Sequence, residues 1–183
     1  MQRVHYIAGA SGTGTSTRAR SVQQAWQAEP GTRPCCVIAT DIVRAQLRAV
    51  IEPETCPDLW GESFNLPARD DDRLRDRVSI DAFLRQCEPI LRAVEAGVAY
   101  ALTEGWDVIV EGVHLVPGAF AVADAESASV SFELLVVEDP AEHVRRFRSR
   151  DAASGGRRPA AHYEANLDRV RAIQAELVAR QQG

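Results

Sequence analysis

Residues 9–16 read Gly9-Ala10-Ser11-Gly12-Thr13-Gly14-Thr15-Ser16, directly after the apolar run 4–8 and directly before a helical pattern. Glycines in such a loop let backbone N–H groups turn inward, and the following helix points its positive end at whatever anion sits there. The spacing is that of a phosphate-binding P-loop, G-x-x-x-x-G-K-[ST], at every position but one. Threonine stands at position 15, where the pattern has lysine. Short and neutral, Thr15 cannot follow charge developing on a terminal phosphate, so either another cation supplies that charge or the chemistry is lost or altered.

Within the chain that cation can only be arginine: all 21 basic residues are arginine and there is no lysine. Compositional drift and selection for a lysine-free chain both account for this, and the sequence does not separate them. At 183 residues the chain is expected to form one domain around a single core. A net charge of −5 argues against nucleic acid as the main partner and fits a small acidic metabolite held by local arginines. No basic leader precedes the first strand pattern, and no apolar stretch approaches the ~18 residues of a membrane span. A cytoplasmic chain without a membrane partner is therefore expected, with a homodimer left open. Cys35, Cys36, Cys56 and Cys87 have neither C-x-x-C spacing nor a partnering histidine pair, so free, buried thiols are expected.

Apolar runs alternate with helical patterns, the mark of a parallel sheet wrapped by helices. The expected order is β-α-β-α-α-β-α-β-α-α, with strands over 4–8, 35–39, 107–111 and 130–137. Helices are expected over 15–28, 41–50, 79–104, 140–150 and 161–180, the second capped by Asp41 and the third kinked or divided at Pro89. The order also implies a helix between the third and fourth strands. Residues 52–72, with Pro53, Pro57, Gly61 and Pro67, read as an irregular flap. Residues 152–159, Gly/Ser/Arg-rich within a wider span of about 148–160, read as a mobile lid.

The chemistry-bearing residues follow from this order. The backbone from Gly12 through Thr13, Gly14 and Thr15 to Ser16 and Thr17 is the candidate phosphate cradle, and the Ser16 hydroxyl is the candidate Mg²⁺ ligand. Asp41, after the second strand at the carboxyl edge of the sheet, is a candidate general base, with helix capping as its alternative role. Arg44 and Arg48 share a helix face and are candidates to bind a substrate carboxylate or phosphate, or are merely solvated. Val108-Ile109-Val110-Glu111 is a buried strand ending in an acid, and in the company of a P-loop Glu111 is a candidate metal-side carboxylate. His114 is either a substrate contact or a structural loop histidine. Arginines 145, 146, 148, 150, 157 and 158 surround the lid, and closing it would bring guanidinium groups onto phosphates. This cluster, with Arg146 and Arg150 on one helix face followed by Arg157 and Arg158, is the local candidate to stand in for the lysine.

Taken together, the segments GASGTGTST (9–17), ATDIVRAQLR (39–48), VEGVHLVPG (110–118), EHVRRFRSR (142–150) and VRAIQ (170–174) resemble the 2-phosphoglycerate kinase family of P-loop kinases over nearly the whole chain. The resemblance implies a nucleoside-kinase-like α/β fold of three layers with helices on both faces of the sheet. It also implies ATP, or another nucleoside triphosphate, with Mg²⁺ as donor system and a small phosphorylated or carboxylated hydroxy acid as acceptor. By the same resemblance Asp41 corresponds to the acid near the acceptor, Arg44 to a substrate-side arginine, and Arg150 and Arg158 to lid arginines. Related kinases usually continue into another strand after the last helix, so a sheet of about four strands with an open adenine side is expected. A small-molecule kinase acting on 2-phosphoglycerate or a biosynthetic intermediate, with arginines compensating for Thr15, is the leading expectation. A non-catalytic nucleotide or phosphometabolite binder, a pseudokinase or regulatory subunit, is the alternative.

Overall fold

The computed structural model describes residues 1–66, 78–120 and 128–182. Four parallel strands form one sheet, β1 (Gln2–Gly9), β2 (Cys35–Ala39), β3 (Asp107–Gly112) and β4 (Ala128–Leu135), in the order β2-β3-β1-β4. The helices are α1 (Thr15–Gln27), α2 (Thr40–Arg48), α3 (Val78–Thr103), α4 (Pro140–Ser154), α5 (Ala160–Ala165) and α6 (Leu167–Gln182). The expected three-layer α/β fold is thus present.

Alternation along the strands sends side chains to the two faces. Ile7 and Ile109 pack with Ala19 and Val22 of α1 on one side. On the other, Val4, Tyr6, Ala8, Val108 and Val110 join Val94 and Val98 of α3 and Ile173 and Leu177 of α6. Strand β3 is buried from Asp107 to Glu111, as a central strand covered on both faces must be. Its register sets Glu111 beside Ile7 of β1 and Ala39 of β2, at the carboxyl edge where the loop after β1 begins.

Several boundaries differ from the sequence expectation. Strand β4 lies two residues earlier than expected, because β1 gives way to the loop opposite Leu135 and the Val137 N–H and carbonyl are taken by the Gln174 side-chain amide, at 3.0 Å each. Pro89 lies inside α3 without dividing it, held by the buried neighbours Phe83, Cys87, Ile90 and Leu91. The expected last helix breaks at Asn166 into α5 and α6. Helix α4 runs to Ser154, so the irregular part of the lid is residues 155–159. Between β3 and β4 the described residues 113–120 are turns and not a helix; residues 121–127 lie outside the described residues, as do 67–72 of the flap. Described flap residues include a short 3-10 turn, Pro57–Trp60. All four cysteines are free, with Cys87 buried, and among the described residues no helix is long and apolar enough to cross a membrane.

At the end of β3 the backbone of Gly112 has φ +139°, and a Cβ there would stand 2.0 Å from Thr40 Oγ1. Only glycine allows α2 to start this close to β3. Gly112→Ala is expected to destabilise the fold by about 2 kcal/mol or more from the backbone conformation and overpacking together, read as a lowered urea midpoint with an unchanged slope.

Candidate active site

The loop after β1 is built for an anion and braced from behind. Gly12 and Gly14 have φ of +90° and +102°, conformations that side chains resist, and Gly14 leads into α1 without any side-chain cap. The nearby hydroxyls are used elsewhere. Thr13 Oγ1 and the Thr13 N–H both donate to Ala10 O, at 2.9 and 3.1 Å, so Thr13, expected in the cradle, offers a ligand no open donor. Ser16 Oγ donates to Glu111 Oε1 at 2.9 Å. The Thr17 N–H is spent on Gly14 O at 3.0 Å, so the open stretch of the cradle ends before it. Thr15 is the first residue of α1.

Two carboxylates bracket β3 and have different fates. Asp107, at its start, is clamped by Arg3 through the backbone N–H at 2.8 Å and the guanidinium at 2.8 and 2.9 Å. Glu111, at its end, is 8% exposed and meets the Ser16 hydroxyl. A serine hydroxyl and one carboxylate are hard oxygen donors of the kind Mg²⁺ uses alongside substrate phosphates. No cluster of three or more His, Cys, Asp or Glu able to hold a metal unaided occurs among the described residues.

The outer side of the loop rests on α4. His143 Nε2 donates to Ser11 O at 2.7 Å, and Arg146 Nη1 donates to Thr13 O at 2.8 Å. Phe147 packs so near that a Cβ on Gly12 would lie 2.5 Å from its ring. His143 stacks on Phe147 at 4.9 Å, and burial pushes its pKa down, consistent with a neutral ring carrying its proton on Nε2. No motif marked His143; the only signal was the i, i+3, i+4, i+7 spacing of His143, Arg146, Phe147 and Arg150 on one helix face.

Asp41 and the two arginines of α2 stand at the end of β2. The expected cap is corrected: Ala39 occupies the N-cap position and no side chain caps α2. Asp41 sits in the first turn with its side chain 58% exposed, 3.7 Å from Arg44 Nη2. Arg44 is only 17% exposed and donates through Nη1 to Gly61 O at 3.1 Å, which fixes it under the flap turn. Arg48 instead lies 4.8 Å over the Trp60 ring.

His114, one candidate substrate contact, is fully buried. Its Nδ1 pairs with Thr40 Oγ1 at 2.9 Å, and its Nε2 lies 3.1 Å from Ser63 Oγ and 3.2 Å from Gln86 Oε1. The ring therefore belongs to the framework beneath Asp41, joining α2, the flap and α3, and this histidine presents no atom to the opening. Burial drives its pKa down to about 4, opposed by Asp41 and assisted by Arg44.

At the far end of α4, Arg150 Nε and Nη2 are buried without a hydrogen-bond partner among the described residues. Its guanidinium lies 4.1 Å over Tyr163 and 5.5 Å over Phe147. Burial works against its charge, as does Arg158, while Tyr163 and then Asp41 favour it. Arg157 and Arg158 are exposed in the connection 155–159. The structure thus gathers the loop, Ser16 and Glu111 in one group and Asp41, Arg44 and Arg150 in a second. It leaves Arg48 on Trp60, Arg158 at the surface and His114 inside.

Comparison with known proteins bears on this arrangement. Curated proteins named 2-phosphoglycerate kinase are 34% identical over 172 residues in Methanopyrus kandleri, 33% over 174 in Methanocaldococcus jannaschii and 32% over 171 in Methanothermobacter thermautotrophicus. Over nearly its whole length the chain is thus similar to proteins named 2-phosphoglycerate kinase. These alignments cover 91–94% of the chain and 51–53% of the relatives, so the chain spans about half the length of the curated relatives it matches. No family model matches.

The two buried histidines give the fold a pH dependence. Each is held neutral when folded and takes up a proton on unfolding, so stability is full above the ordinary histidine pKa of 6.5 and falls as pH drops toward 4. The slope expected from one such group is about 1.4 kcal/mol per pH unit. Urea midpoints should hold from pH 7.5 to about 6.5 and fall from there to pH 5, and His114→Gln should lower stability at pH 7.5 while flattening that fall.

Proposed function

We propose that this chain is a small-molecule kinase that transfers the γ-phosphoryl group of ATP, with Mg²⁺, to a hydroxyl of a small acidic metabolite such as 2-phosphoglycerate. The observation that carries the reading is the Ser16–Glu111 hydrogen bond beside an uncapped, glycine-turned loop, with an exposed carboxylate and a buried guanidinium at the same edge of the sheet. A family likeness to proteins named 2-phosphoglycerate kinase supports it.

In this reading the amides of Gly12, Gly14, Thr15 and Ser16 hold the donor phosphates, the Thr13 N–H being spent on Ala10 O. Ser16 and Glu111 would hold Mg²⁺, directly or through water; when bound, the ion neutralises charge shared between the β- and γ-phosphates. Arg44 holds an acidic group of the acceptor. The acceptor hydroxyl oxygen bonds to the γ-phosphorus as the bond to the bridging oxygen breaks, and the hydroxyl proton passes to the Asp41 carboxylate while ADP departs. The charge that a loop lysine would carry is supplied by arginine, with Arg150 the best-supported candidate: two of its donors are buried and open, and an uncompensated buried cation is costly unless an anion completes it.

ADP release with ATP, Mg²⁺ and 2-phosphoglycerate or related hydroxy acids tests the reading. Turnover by the parent chain is expected, with Asp41→Asn slower by about 10²-fold and Arg150→Ala slower by about ten-fold or more. ATP binding without transfer to any hydroxy acid would instead identify a nucleotide-binding relative that has lost the chemistry.

A further inference from the structure

Helix α4 carries four arginines, and their partners divide them. Arg145 and Arg146 both pair with Glu142, and Arg148 makes a two-pronged contact with Glu164, at 2.8 and 2.9 Å. Among the described residues Arg150 pairs with no carboxylate in the same way: it lies on the faces of Tyr163 and Phe147, with Tyr163 also favouring its charge by a side-chain hydrogen bond, and its Nε and Nη2 stay open. A guanidinium kept for stability alone would be paired like the other three, since stacking on a ring offsets only part of its desolvation.

Tyr163 is held as a fixed platform. Gly155 and Gly156, with φ of +64° and +81°, turn the chain back, and Asp151 Oδ2 accepts the Ala160 N–H at 2.9 Å. With the Arg148–Glu164 pair, this clamps α5 onto the last turns of α4. The flap then packs on α5 and the start of α6. Phe64 packs against Tyr163 at 5.3 Å and against His162 at 5.7 Å, Glu62 meets His162 Nε2 at 2.7 Å, and Arg169 Nη1 donates to Asn65 at 2.7 Å. Phe64, Tyr163, Phe147 and His143 form one run of ring contacts that ends against Gly12. Arg150 lies on this run, between the flap and the phosphate loop.

We infer that Tyr163 is a positioning residue whose ring face fixes the Arg150 guanidinium for the terminal phosphates of a bound polyphosphate, and that this placement is how the chain works without a loop lysine. The inference rests on the kinase reading above for its ligand and adds the device that sets the replacement cation.

The test measures binding of ATP with Mg²⁺ by titration calorimetry, alongside turnover. Tyr163→Leu is expected to weaken ATP binding and lower kcat by about ten-fold, whereas Tyr163→Phe, which keeps the ring, loses no more than about three-fold. Thr15→Lys added to Tyr163→Leu should restore most of the loss, because lysine at position 15 supplies the cation directly. In an Arg150→Met background Tyr163→Leu should have little further effect, the two residues acting as one unit. Should Tyr163→Leu fail to fold by circular dichroism, Tyr163→Met keeps bulk without a ring and takes its place. Parent-like ATP binding in the folded ringless variant overturns the inference, and so does a loss that Thr15→Lys leaves uncorrected. A parent that binds ATP and transfers nothing overturns the kinase reading alone, with the binding series still deciding the role of Tyr163. A parent that binds neither ATP nor inorganic tripolyphosphate overturns both.

Discussion

Everything at this site depends on how closely α4 approaches the phosphate loop. No side chain fits at Gly12, because Phe147 and His143 occupy the space a Cβ would need. That proximity lets His143 and Arg146 bond the loop carbonyls of Ser11 and Thr13 and hold the loop from outside. A loop braced through its carbonyls keeps its amides available on the other side, as an anion site requires. The ring run from Phe147 through Tyr163 to Phe64 starts at the same place, so the acceptor-side flap and the donor-side loop are referenced to one helix.

Charge is distributed with the same economy. Asp107 is consumed by Arg3 at the amino edge of the sheet, while Glu111, four residues on, accepts from the Ser16 hydroxyl. Arg145, Arg146 and Arg148 are neutralised by glutamates, and Arg150 is left on aromatic faces. In a chain without lysine, the proposed cation is a guanidinium on a rigid ring platform, in place of a flexible ammonium on the loop itself. The guanidinium is planar and holds several donors in a fixed fork, so its orientation matters more than that of an ammonium. This is why a positioning ring is useful here.

Asp41 and His114 show where reading residues one by one stops. Aspartate after a strand and before a helix is a good cap by type, yet α2 begins one residue earlier, at Thr40, and the carboxylate falls in the first turn. His114, in a loop after an acid-ended strand, could as well have faced a ligand; Thr40, Ser63 and Gln86 converge on it from three separate parts of the chain. Capping is decided by a shift of a single residue, and burial by contacts 28 to 74 positions away in sequence.

The sequence by itself determined the strands to within two residues, the glycine-turned loop after the first, the acid that ends the third, and the absence of lysine that leaves arginine as the strongly basic side chain for the site. These follow from short-range signals, alternation, glycine spacing and composition, that local sterics and burial act on directly. The tertiary structure alone decided which arginine is left open, that His114 is enclosed, and that Tyr163 and Phe64 meet beside Arg150. Those outcomes depend on which distant side chains share a small volume, and a guanidinium that pairs with Glu164 differs from one that does not only in where α5 turns back onto α4.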